Sequence, residues 1–267
     1  MDKLGVGEES VLPHESLNSN GESTIVLIHG AFGSRKDWDM VTPFLLEYHL
    51  LVPDQPGHGE AQHLAPFSVE KSADLISRLI EAKAYGGTAH VVGWSLGASV
   101  ALQLAIRHPS VVRSMVITGY GNLPRSWFTP YLPHAIWLNH RIENSIPRSV
   151  TRWLMDGTDL PRVDTRVANL DLIRNIFVDG LTGQSPCSWS ARTLIIAAAK
   201  AGIVPSNDNE GLAKELAKIG KEENAETHAV KHSKMRHPWP RQSPQLFADV
   251  VKAWIEAKDL PGGFEVL

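Results

Sequence analysis

One stretch constrains this chain more than any other: His90-Val91-Val92-Gly93-Trp94-Ser95-Leu96-Gly97-Ala98-Ser99. It reads as a strand, a sharp turn and the first turn of a helix. Gly93 and Gly97 flank a serine at the Gly-x-Ser-x-Gly spacing that sets a hydroxyl on a tight strand-to-helix elbow. The glycines carry no Cβ, so strand and helix can approach closely. The helix points free N–H groups and the positive end of its dipole at the same spot. Residues 89–93 are apolar and β-prone, and residues 96–108 have helical composition that stops before Pro109. The competing reading is a small-residue turn in an unrelated α/β domain. The strand–turn–helix context weighs against it.

The rest of the chain alternates in the same way. Residues 23–29 and 49–53 are continuous apolar runs of strand length, suited to buried parallel strands. The first runs into the loop His29-Gly30-Ala31-Phe32-Gly33-Ser34, and the second into the turn cluster 54–59. A helix is expected over 38–47 and another over 69–82, the latter capped by Ser68. Strands follow at 112–118, 192–198 and 226–230, with helices at 210–219 and 243–258. Residues 1–22 show no clear pattern, and 260–267 read as a surface strap. Residues 119–186 break the rhythm with prolines, short helical patches and the aromatics Trp127, Tyr131, Trp137 and Trp153.

This order predicts a doubly wound, mostly parallel α/β sheet. The core spans 1–118 and 187–267, with 119–186 inserted as a mainly helical cap. The loops after His29, Asp54, Gly93, Thr118 and Ala198 should meet at the carboxyl edge of the sheet, beneath that cap.

At 267 residues the chain is long enough for a sizeable core. A formal net charge of −3 offers no basic surface for nucleic acid or an anionic membrane. No window has the length and apolarity of a membrane span, and residues 1–9 hold no apolar signal core. Cys187 is the sole cysteine, so no internal disulfide forms and a cytoplasmic setting is the default expectation. Cys187 has no elbow and sits beside Pro186, which argues against a nucleophile. No phosphate loop, dinucleotide fingerprint or metal-ligand spacing is present, so neither cofactor nor metal is expected.

Three motifs make the chain resemble the α/β-hydrolase superfamily: Leu27-Ile28-His29-Gly30-Ala31, Pro53-Asp54-Gln55-Pro56-Gly57-His58-Gly59 and Gly93-Trp94-Ser95-Leu96-Gly97. The resemblance extends to Met235-Arg236-His237-Pro238-Trp239 ahead of the final helix. The C-terminal half is also similar to uncharacterised fungal members. The resemblance implies Ser95 as nucleophile and a late histidine as its base. Of the twelve histidines, His228 falls within a strand and His232 lies too near its end, so His237 ranks first. It also implies an oxyanion hole from the backbone N–H of Leu96 and of Ala31 or Phe32, with His29 ordering that loop by hydrogen bonding. Asp54 is expected to hold its own turn.

The acid is less direct. The family pattern after the strand at 192–198 has Ala201 where a carboxylate is usual, and 119–124 contains none. Asp208 is the nearest candidate. It is either the acid or the N-cap of the next helix; in the second case Ser95 and His237 form a dyad. Trp94, Phe32, Trp127, Tyr131 and Trp137 are expected to line an apolar pocket. The leading function is a serine hydrolase of a neutral, fairly apolar ester or lactone, working through an acyl-enzyme on a small-molecule substrate. The rivals are a lyase, cyclase or condensing enzyme on the same scaffold, and a catalytically silent binding protein.

Overall fold

A computed structural model describes residues 11–201, 206 and 208–267. Residues 1–10, 202–205 and 207 lie outside the described residues, and with them the reading of 1–9 and part of the 198–205 pattern.

The strands are β1 (His14–Leu17), β2 (Thr24–Ile28), β3 (His49–Pro53), β4 (Ala89–Trp94), β5 (Val112–Thr118), β6 (Arg192–Ala198), β7 (His228–His232) and β8 (Glu265–Val266). They form one sheet in the order β1-β3-β2-β4-β5-β6-β7-β8. The inner pairings are parallel, and β1 and β8 close the two edges antiparallel. The chain leaves β2 to one side for β3 and crosses to the other side for β4. That reversal opens a crevice at the carboxyl ends of β2 and β4, the usual ligand position in such sheets.

The apolar strands are apolar because both faces are covered. Val26, Ile28, Val91, Met115, Ile117 and Ile195 pack on one face. There they meet α1 (Val69–Lys83), α2 (Leu96–Arg107) and, after the inserted segment's α3 (Leu132–Ser145), α4 (Arg148–Leu154) and α5 (Leu170–Ile173), the core helix α6 (Glu210–Gly220). Ile25, Leu27, Val92, Val116, Leu194 and Ile196 point the other way. They meet Trp38, Trp239 of the short α7 (Trp239–Gln242) and α8 (Pro244–Ile255). Each fully buried Leu, Ile or Val side chain contributes roughly 1.5–3 kcal/mol relative to exposure. Ser68 caps α1 by accepting the Lys71 N–H.

Several boundaries differ from expectation. The helix expected over 38–47 is instead two 3₁₀ turns, Arg35–Trp38 and Thr42–Phe44. Pro43 lacks the N–H that a continuous helix would need there. The strand expected at 226–230 lies two residues later, where His228 pairs with Leu194 and His232 with Ala198. The N-terminal segment adds β1 to the β3 edge, and the C-terminal strap adds β8 to the β7 edge. Among the described residues no helix is long and apolar enough to cross a membrane.

Two buried groups fix the loops at the crevice. Asp54 follows β3 and accepts hydrogen bonds from the Arg35 N–H (2.7 Å), the Arg35 guanidinium (2.9 Å) and the Glu60 N–H (2.9 Å). It is structural, holding its own turn as expected. His29 is fully buried; its Nδ1–H donates to Gly30 O (2.7 Å) and its Nε2 accepts the Gln55 N–H (3.0 Å). One imidazole thereby ties the loop after β2 to the loop after β3.

Burial first, and the neighbouring His58 second, push the His29 imidazole down to about 3. The unfolded chain takes up this proton near the ordinary histidine pKa of about 6.5. The contribution of His29 to stability is therefore complete above that pH. It is lost as pH falls toward 3, at up to about 1.4 kcal/mol per pH unit. Asp37, pushed up to about 6 by burial, acts in the opposite sense, so the test compares two proteins. In urea denaturation between pH 6 and 4, His29→Gln should lose less stability per pH unit than the wild type. Equal slopes would contradict a buried neutral imidazole.

Candidate active site

Ser95 stands between β4 and α2 with φ 57° and ψ −118°. A non-glycine residue in such a region costs roughly 1–3 kcal/mol and persists only where its surroundings impose it. They do so here. A Cβ on Gly93 would lie 2.3 Å from Gly97 O, and one on Gly97 would lie 2.2 Å from Ile28 O. No larger residue fits, so α2 starts directly against β2 and β4. The Ser95 N–H donates to Thr118 O (2.9 Å), pinning the elbow to the end of β5.

His237 reaches this serine from the loop between β7 and α7. Its Nε2 lies 3.0 Å from Ser95 Oγ, and its Nδ1 lies 2.5 Å from Asp208 Oδ1. With Nδ1–H donating to the carboxylate, Nε2 is free to accept the serine proton. The residue is held from two other directions. Trp94 Nε1–H donates to His237 O (2.9 Å). Gly119, at φ 68°, leaves no room for a Cβ, which would meet His237 Cε1 at 2.6 Å.

Asp208 is not the helix cap. Asn209 caps α6, its side chain accepting the Leu212 N–H. The Asp208 side chain is 2% exposed, and its second oxygen accepts the Ala198 N–H at 2.8 Å. Ser206 N–H donates to Lys200 O (2.8 Å), and Asp208 lies against the imidazole. Ala201 is exposed. The other late histidines are elsewhere: His228 meets the Trp254 ring edge-on, and His232 is buried against Phe264.

A cavity of about 380 Å³ adjoins Ser95 and His237. Leu96, Ala31 and Phe32 line it together, along with Leu123, Phe177 and Leu181. Leu96 is the first residue of α2, where a backbone N–H has no partner within the helix. Phe32, at φ 60°, stacks on Phe177 at 6.0 Å and takes the edge of His140 at 4.9 Å. A larger cleft of about 870 Å³ is also lined by His237 and shares Ala31, Phe32 and Trp94. Charged groups of both signs line it, including Lys36, Asp37, Glu143, Arg162 and Arg241.

Three expected pocket residues fall elsewhere. Trp127 is 84% exposed and Tyr131 59%, and neither lines the two cavities; nor does Trp137. For Tyr131 the reason is helical spacing. α3 turns His140 and Glu143 toward the cleft, so Leu138 and Ile142 project outward together with Tyr131 just ahead of the helix. Trp137 instead packs beneath the Arg141 guanidinium, 4.9 Å from its ring centre. The inserted segment supplies Leu123, Phe177 and Leu181 in their place. Those residues show no periodicity that marks them in the sequence.

The chain was compared with known proteins. The Alpha/beta hydrolase family profile matches residues 25–250. An AB hydrolase superfamily protein of Gibberella zeae is 36% identical over 97% of this chain and 89% of its own length. A pimeloyl-(acyl-carrier protein) methyl ester esterase of Neisseria meningitidis is 40% identical over 35% of each chain. Among solved structures, a malate-bound thermophilic esterase from Thermogutta terrifontis superposes with a TM-score of 0.70. It is 17% identical, over 92% of this chain and 93% of the other. With this sheet, this elbow and a profile spanning most of its length, the chain belongs to the α/β hydrolase family.

Proposed function

We propose that this protein is a serine esterase of small, neutral, fairly apolar carboxylic esters or lactones. One observation carries the reading: the hydrogen-bonded series Asp208 Oδ1, His237 Nδ1, His237 Nε2 and Ser95 Oγ, with contacts of 2.5 and 3.0 Å.

In this mechanism Ser95 Oγ attacks the substrate carbonyl while His237 Nε2 takes its proton. Asp208 fixes the tautomer and stabilises the imidazolium that forms. The carbonyl oxygen, now anionic, is met by the Leu96 N–H and by the N–H of Ala31 or Phe32. Each such donor typically lowers the barrier by about 3 kcal/mol. His237 then returns the proton to the leaving alcohol, and water, activated by the same imidazole, releases the acyl group from Ser95. Residues 119–186 act as the cap of this site. The cavity beside Ser95 takes the acyl chain, and the larger cleft that shares His237 takes the alcohol. The name of the Neisseria relative supports ester chemistry. Ala201 adds weight to the rival lyase and binding-protein readings, and the contact of Asp208 with His237 supports hydrolysis over them.

Asp208→Asn should lower ester turnover by about 10⁴-fold, the cost of leaving the imidazole in the wrong tautomer. The amide oxygen can still accept the Ala198 N–H, and Asn209 still caps α6, so stability should change little. Turnover close to wild type would leave Ser95 and His237 as a dyad.

The acyl cavity gives a second expectation. Each buried methylene is worth about 0.8 kcal/mol, so three added to acetyl should raise kcat/KM by up to about fiftyfold. A series of p-nitrophenyl esters measures this, and a flat or falling trend would contradict it.

A further inference from the structure

Asp156 stands just beyond α4, on the segment inserted between β5 and β6. α4 closes with Met155 N–H on Thr151 O (3.0 Å) and Gly157 N–H on Arg152 O (2.8 Å). The Arg152 guanidinium adds a bond to Gly157 O at 2.9 Å. Asp156 and Gly157 are both left-handed, at φ 56° and 84°, a conformation aspartate tolerates better than most residues. This turn brings the carboxylate to the loops that follow β6 and β7.

One oxygen, Asp156 Oδ2, meets two cations there: Lys200 Nζ at 2.6 Å and Arg236 Nε at 2.5 Å. Lys200 lies on the loop that leaves β6 and carries Asp208. Arg236 is the residue before His237, its side chain 8% exposed. The two loops already touch through Lys200 N–H on Met235 O (2.9 Å), and Arg236 N–H donates to Gln242 Oε1 (2.9 Å). A single carboxylate from the inserted segment thus bridges the loop of the acid and the loop of the base.

We propose that Asp156 is a positioning residue: by clamping Lys200 to Arg236 it aligns Asp208 and His237 on Ser95 when the inserted segment is seated. The proposal rests on the catalytic reading above. The paired cations, Arg236 foremost, hold the Asp156 carboxyl down at about 2, so the clamp is charged across the working pH range. A partly exposed ion pair adds little to stability by itself. Its consequence here is geometric, because a displacement of about 1 Å in a reacting group can cost about a hundredfold in rate.

The test uses a fluorophosphonate, which reacts with an activated serine whatever the natural substrate. Its labelling rate is measured on the full chain for wild type, Asp156→Asn, Lys200→Met and the double variant, beside each thermal midpoint. The account expects Ser95 to be labelled in the wild type and up to about a hundredfold more slowly in Asp156→Asn, with the midpoint nearly unchanged. The double variant should label no more slowly than Asp156→Asn. Raising the salt from about 0.05 to about 0.5 M should slow the wild type toward the variant and leave the variant unaffected. Wild-type labelling rates in Asp156→Asn, or in Lys200→Met should the first variant fail to fold, would overturn the clamp. Absence of Ser95 labelling in the wild type would instead overturn the catalytic reading itself.

Discussion

The contact of Gly97 with the end of β2 is the constraint on which the site depends. Because a Cβ there would collide with Ile28 O, the first turn of α2 can sit against the strand only with glycine at this position. The same close approach forces Ser95 to a positive φ and lifts its hydroxyl clear of the sheet. It also brings the amino end of α2 beside the loop of Ala31 and Phe32. The strain of that turn is offset by the buried strands on either side, whose apolar faces are covered by helices on both sides of the sheet. A rigid scaffold therefore bears one unfavourable residue conformation, at the point where a reacting group would need to be held.

Around that point the loops are fastened by polar groups that cannot leave their partners. His29 ties the loop after β2 to the loop after β3, and Asp54 ties the latter to Arg35. Trp94 holds the His237 carbonyl, and Asp208 is bonded to both β6 and the imidazole. The His29–Gln55, Arg35–Asp54, Trp94–His237 and Asp208–His237 bonds each join the carboxyl ends of different strands. The sheet order brings those ends together, and the bonds set their spacing.

Much of this was legible in the sequence because its causes are local. Buried parallel strands need continuous apolar runs, and the elbow needs two glycines at a fixed spacing. Ser95 is singled out on that basis and His237 by the family resemblance, and the structure places them in contact. Asp208 was harder. The usual position holds Ala201, and whether Asp208 reaches the imidazole is a matter of tertiary structure that no local pattern marks. The aromatics of residues 119–186 misled, since Trp127 and Tyr131 suit an apolar pocket in composition yet both stand exposed ahead of α3. Composition does not show which side of a helix faces inward when its inner face is itself polar. The ion pairs of Asp156 with Lys200 and Arg236 join parts of the chain far apart in sequence, and no local pattern marks them.

The central claim is that Ser95 becomes acylated during turnover. Rapid acid quenching of the protein with an activated ester, followed by intact-mass and peptide mass spectrometry, tests it directly. The account predicts one acyl group per chain, located on the peptide containing Ser95, formed and lost at rates consistent with turnover. Turnover of the ester with Ser95 unmodified at every time point would contradict it.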